Sequence, residues 1–224
     1  MDQANYRQVL IDKIEVPVEK GEVTAGSVKT AYLATGSGAP VVCLHGAAAG
    51  AVTYYKSIAA LAQHFRVIVP DIVGYGESDK PKAPYTRPYF AAWLCDFFTA
   101  LGIQKAHVVG NSQGGAIGLQ FALENPDKVD KLVLVDSGAL GKGMPAGAFI
   151  SMFLLNNFPS ATAGRMMSRY LVYKPENNEP DYVAYSLQVA KKPGGSNVFM
   201  QGRGAAVSPI ADDELRRIEH QTLI

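Results

Sequence analysis

Residues Gly110-Asn111-Ser112-Gln113-Gly114 set one hydroxyl between two glycines. An apolar run, Ala106 to Val109, leads into them, and a helix-compatible run, Ala116 to Ala122, follows at once. A strand turning this sharply into a helix forces its middle residue into a strained backbone conformation, and a Cβ at Gly110 or Gly114 would crowd the turn. The serine oxygen is pushed up above the sheet, with the positive end of the following helix beneath it. An exposed hydroxyl in that setting is suited to nucleophilic chemistry.

The flanking sequence supplies elements that can hold such a turn. Two short strands are expected around Ile14–Val18 and Val28–Ala34, parted by turn signals at Lys20-Gly21-Glu22 and Ala25-Gly26. Pro40 to Leu44 reads as a strand buried on both faces and runs into His45-Gly46-Ala47-Ala48-Ala49-Gly50, a loop small enough for backbone N–H groups to approach a ligand. Tyr54 to His64 carries apolar residues at helical spacing. Phe65 to Pro70 is a further buried strand, followed by the glycine-rich stretch Asp71 to Pro81. Phe90 to Leu101 is an amphipathic helix burying Phe90, Trp93, Leu94, Phe97, Phe98 and Leu101. After the serine turn and its helix, Leu132 to Val135 makes one more buried strand. Alternating strands and helices predict an α/β fold with a mostly parallel sheet covered on both faces.

From Gly141 the pattern changes. Met144 to Met167, Tyr170-Leu171-Val172-Tyr173 and Tyr182 to Ala190 are rich in Met and aromatics in broken helical patterns, and Asp212 to Glu219 is a polar helix. A helical insertion of this kind suits a lid over an apolar pocket. The expected division is a core at 1–138, a helical lid at 139–211, and a return helix with the start of the next core strand at 212–224.

Composition narrows the class of protein. The chain has 224 residues, 48% hydrophobic and 18% charged, enough for a large buried core. A net charge of +1 gives no reason to expect nucleic acid or anionic membrane as a partner. Cys43 and Cys95, the two cysteines, both sit in apolar runs and are expected as free thiols in a reducing compartment. With no basic-then-apolar leader and no membrane-length apolar run, a cytoplasmic protein is expected. No metal and no cofactor are called for.

Taken together these features resemble the α/β-hydrolase superfamily. The matching pieces are His45-Gly46 with its loop, Asp71-x-x-Gly74-x-Gly76-x-Ser78, the Gly110–Gly114 elbow, Asn125-Pro126 and the Leu132–Val135 strand, all in the family's order. Within the superfamily, the loop near Tyr54-Tyr55 and Gly-Asn-Ser-x-Gly-Gly look most like meta-cleavage-product C–C hydrolases and related carboxylesterases. The resemblance implies Ser112 as nucleophile toward an ester or a vinylogous diketone, forming an acyl-enzyme. It implies Ala47 and Gln113 as backbone donors to the oxyanion, with Gly46 and Asn111 beside the substrate. The same resemblance makes Arg203, after Gly202, the best match to a lid arginine gripping a carboxylate, with Arg165 and Arg169 as alternatives. His45 is expected to be structural. The serine at the elbow disfavours a haloalkane dehalogenase, whose nucleophile there is an aspartate.

A departure accompanies the match. The family order is nucleophile, acid, then histidine, yet His45, His64 and His107 precede Ser112, and His220 lies immediately before Thr222-Leu223-Ile224. The expectation is a chain truncated before the last strands, with acid and histidine beyond Ile224. In a complete short relative, Asp136 would serve as acid and His220 as base. A non-catalytic binding protein of the same fold is the remaining reading. A cut sheet would also bare an apolar edge and favour a homo-oligomer.

Overall fold

Residues alternate in facing along every central strand, and that alternation divides the interior. Val42 and Leu44 of β3 (Pro40–Leu44), Ile68 of β4 (Arg66–Pro70) and Val108 of β5 (Ala106–Asn111) turn to one face. Val41, Cys43, Val67 and Val69 turn to the other. Strands apolar on both faces need cover on both. The first face is covered by α3 (Arg87–Ala100) and α4 (Gln113–Glu124) through Phe90, Leu94, Phe97, Phe98 and Phe121. The second is covered by α1 (Tyr6–Asp12) and α2 (Ile58–Ala62) through Leu10, Ile11 and Ile58.

A computed structural model describes residues 5–141, 145–171, 174 and 179–224. Its sheet adds β1 (Glu19–Ala25), β2 (Val28–Thr35), β6 (Val129–Val135) and β7 (Gln221–Leu223), in the spatial order β1-β2-β4-β3-β5-β6-β7. The pairs β1–β2 and β2–β4 are antiparallel, and the remaining neighbours are parallel. The mostly parallel α/β sheet expected from the sequence is therefore present. Thr86 caps α3 by accepting the Tyr89 N–H at 3.4 Å.

The N-terminal expectation needs correcting. The segment expected as a strand at Ile14–Val18 is not one, and the first strand is Glu19–Ala25, through the Lys20-Gly21-Glu22 stretch read as a turn. Before it, Tyr6–Asp12 forms α1, with Asn5 Oδ1 accepting the Gln8 N–H at its start. β1 is an edge strand with few apolar residues. Its full antiparallel ladder with β2 holds it, and a hydrophobic pattern cannot reveal such a ladder.

Among the described residues, β6 is followed by α5 (Ala146–Asn157), α6 (Ala161–Leu171), α7 (Pro180–Lys191) and α8 (Asn197–Gly202). Met152, Leu155, Ala163 and Met167 form a small core of their own. No strand interrupts them among the described residues. Met144 and Val172-Tyr173, included in the expected helical lid, lie outside the described residues. α9 (Asp212–Leu215) is shorter than the helix read at Asp212–Glu219. Both cysteines are free; Cys43 is fully buried, and burial pushes its thiol up to about 12.

Candidate active site

The end of β5 shows why its sequence is so constrained. Ser112 has φ 53° and ψ −116°, a left-handed conformation that a non-glycine residue keeps only when its surroundings impose it. Here they do. Ser112 N–H donates to Val135 O at 3.0 Å, and Ser112 O accepts from Gly138 N–H at 2.8 Å and Gly115 N–H at 3.0 Å. The flanking glycines are required by contact. A Cβ on Gly110 would lie 2.5 Å from Gly114 O and from Gly115 Cα, and one on Gly114 would strike the Leu44 carbonyl. The elbow is thus wedged between β6 and the end of β3.

The loop after β3 lies directly against it. A Cβ on Gly46 would stand 3.3 Å from Ser112 Cβ and 3.2 Å from Asn111 Oδ1. Asn111 Nδ2 donates to Val135 O at 3.2 Å, bracing the turn. His45 is fully buried and bridges the loop to the next strand exit. Its Nε2 accepts the Ile72 N–H at 2.9 Å, which leaves Nδ1 protonated to donate to Gly46 O at 2.7 Å. Burial holds this imidazole below its ordinary value, so it is neutral and structural. Gln113 begins α4, where the first N–H groups have no intrahelical acceptor, and its buried side chain accepts from Tyr75 Oη at 2.8 Å.

A cavity of about 150 Å³ opens over Ser112. Its floor holds Gly46, Ala47, Asn111, Ser112 and Gln113, and its roof is built from Met152 and Leu155 of α5, Met167 of α6, Tyr182 of α7 and Phe199 of α8. Among the described residues, no lining side chain is charged. No group of three metal-ligating side chains is assembled among the described residues.

Two residues expected at the site lie away from its interior. Arg203 follows α8 at φ 47° with an exposed side chain, while its neighbours Gly202 and Gly204 line the cavity. The chain turns there in the left-handed region and directs the guanidinium outward. His220 bonds Pro126 O at 2.9 Å, beside the β7 residue that pairs with Lys131. Lys131 and Val135 lie four residue steps apart along β6, about 13 Å of strand, so His220 sits at the opposite end of the sheet from Ser112. A base role for His220 is ruled out by this placement. Asp136, by contrast, follows β6 at the elbow's end of the sheet, at φ 45° with an exposed side chain outside the cavity lining. Among the described residues, no histidine bonds Ser112 Oγ. Arg165 and Arg169 lie on α6 outside the cavity lining.

Sequence reasoning overlooked Asp71 as a structural centre, Tyr75 as the partner of Gln113, and Arg7 altogether. Asp71 could have been suspected, since an acid directly after a buried strand must find donors. Arg7 carried no signal.

A mostly parallel sheet, a strained serine between close-packed glycines and a small-residue loop against it define an α/β protein with a sharp strand–serine–helix elbow. The chain belongs to the alpha/beta hydrolase fold family, whose match spans residues 39–187. It is 30% identical over 212 residues to 2-hydroxy-6-oxo-2,4-heptadienoate hydrolase of Pseudomonas putida, covering 90% of this chain and 76% of that protein. The solved structure of 2-hydroxy-6-oxo-6-phenylhexa-2,4-dienoate hydrolase from Rhodococcus superposes with a TM-score of 0.80 at 27% identity, over 92% of this chain and 80% of that one. Other matches are shorter: a Mycobacterium tuberculosis protein is 38% identical over 119 residues, 53% of this chain and 35% of that protein. The chain thus spans well under two thirds of the first curated relatives it matches.

Proposed function

We propose that the full-length protein is a serine hydrolase in which Ser112 Oγ attacks a carbonyl carbon, giving an acyl-enzyme that water then releases. The observation that carries this reading is the strained Ser112, pinned by backbone hydrogen bonds to Val135, Gly115 and Gly138 beneath a cavity and against the Gly46–Ala47 loop. The Ala47 and Gln113 N–H groups would take the oxyanion, aided by the positive end of α4. Asp136, which follows β6, is the acid this reading offers. Two substrate classes fit. The names of the relatives favour the C–C bond of a vinylogous diketone. The uncharged Met- and Phe-lined roof favours a neutral carboxylic ester.

The test is turnover of short p-nitrophenyl esters and of a meta-cleavage-type dienoate by full-length protein and its Ser112→Ala variant. Loss of about 10⁴-fold or more in the variant is expected. Retained turnover would sink the proposal, and the preferred substrate decides between the two classes. A fluorophosphonate probe that labels Ser112 separates an activated serine from a fold that only binds.

A further inference from the structure

A buried carboxylate and a largely covered guanidinium lie outside the groups that would touch substrate. Asp71, just after β4, is fully buried, and Arg7 of α1 reaches it with Nη1 2.7 Å from Oδ2. A carboxylate at that depth needs a cation beside it, and Arg7 supplies one. The other contacts of the carboxylate indicate what the pair supports. Oδ1 accepts the Ala51 N–H at 2.6 Å, and Oδ2 accepts the Glu77 N–H at 3.0 Å. Ala51 closes the loop that carries Ala47. The opening of the same loop is held by His45 through Ile72 N–H and Gly46 O. The loop is therefore fastened at both ends to the segment after β4, once by an imidazole and once by Asp71. Tyr185 of α7 closes the third side, since a Cβ on Gly50 would strike both its hydroxyl and Asp71 Oδ1.

We propose that Arg7 is a positioning residue for the oxyanion loop, acting through Asp71. By pairing with the buried carboxylate it holds Asp71 in place, so that Oδ1 fixes Ala51 and with it the direction of the Ala47 N–H. The inference rests on the serine-hydrolase reading of Ser112. Without Arg7, the buried Asp71 carboxylate loses its cationic partner and must draw in water, which loosens the Ala51 end. A displaced oxyanion donor weakens the tetrahedral state more than the bound substrate, so turnover falls while binding is kept.

Full-length Arg7→Met, Arg7→Lys and Arg7→Met/Asp71→Asn proteins would be compared on p-nitrophenyl butyrate and with an aryl trifluoromethyl ketone. Ser112 Oγ, giving up its proton to a base, adds to the ketone carbon, and the former carbonyl oxygen becomes an oxyanion in the loop. Arg7→Met should lose roughly tenfold to a hundredfold in kcat, the loss typical of a small misplacement of a positioned group. Ketone affinity should fall in parallel with KM nearly unchanged. Arg7→Lys, which keeps the charge, should recover most of the loss, and the double variant should lie between Arg7→Met and the parent. Parental kcat and ketone affinity in folded Arg7→Met would overturn the proposal, as would a raised KM at parental kcat. Should Arg7→Met not fold, the double variant decides: a lowered kcat at parental KM supports the role, and parental kcat overturns it. Turnover surviving Ser112→Ala sinks the serine reading itself. An inactive Ser112→Ala beside an unaffected Arg7→Met sinks only this inference.

Discussion

Tyr75 donates its hydroxyl hydrogen to Gln113 Oε1 across 2.8 Å, and both side chains are buried. The same tyrosine ring meets His45 edge-on at 5.7 Å, so one residue touches both the start of the oxyanion loop and the residue after the serine. Tyr75→Phe keeps the packing and leaves Gln113 Oε1 without its donor. A loss of about 1–3 kcal/mol is expected, the usual penalty for a buried acceptor left unpaired. Denaturant unfolding of the two proteins measures it, and a difference under about 0.5 kcal/mol would show that Gln113 finds another partner, since ordinary surface changes stay within that range.

The elbow glycines and a surface glycine should separate cleanly. Gly114→Ala drives a Cβ into the Leu44 carbonyl and to 2.7 Å from His45 O, where only backbone movement could relieve it. A loss of about 3 kcal/mol or more is expected, at the upper end for overpacking. Gly102 also has positive φ, at 65°, but nothing lies within 4 Å of its added Cβ. Gly102→Ala should therefore cost about 1–2 kcal/mol, the left-handed penalty alone. Equal losses in thermal unfolding would mean that crowding at the elbow is relieved by small shifts.

His45 makes a pH prediction with a definite sign. Burial lowers its folded-state value below the ordinary 6.5, so between the two values the unfolded chain binds the proton and the folded chain does not. The stability it contributes is fully present above about pH 6.5 and declines as pH falls below that value, by up to about 1.4 kcal/mol per pH unit. Unfolding free energies measured from pH 7.5 to 5 should show this slope, and His45→Gln should flatten it. An unchanged slope in the variant would assign the acid sensitivity to another group.

Arg203 offers a choice between chain geometry and carboxylate binding. At φ 47° it pays a left-handed penalty that glycine avoids, so Arg203→Gly should be neutral to about 1 kcal/mol stabilising. With the guanidinium directed outward, KM for a neutral ester should not change. A KM for the anionic dienoate that rises tenfold or more while the ester KM holds would return Arg203 to the carboxylate-gripping role.

What was legible in the chain was written in neighbouring residues. The elbow could be read because its strain is local: the glycines at 110 and 114 are needed by atoms a few bonds or one strand away, and an apolar strand and a helix flank them directly. The strands at Pro40–Leu44 and Arg66–Pro70 were legible, give or take a residue, because burial on both faces leaves an unbroken apolar run. Tertiary structure alone decided the rest. β1 is held by a ladder rather than a pattern. His220 falls at the far end of β6 because the register with β7 puts it there. Arg203 turns outward because of one backbone angle. Arg7 meets Asp71 across sixty-four residues of sequence. Such pairings depend on how distant segments close on one another, and the charge of an arginine in a polar N-terminal stretch does not say which buried carboxylate it will neutralise.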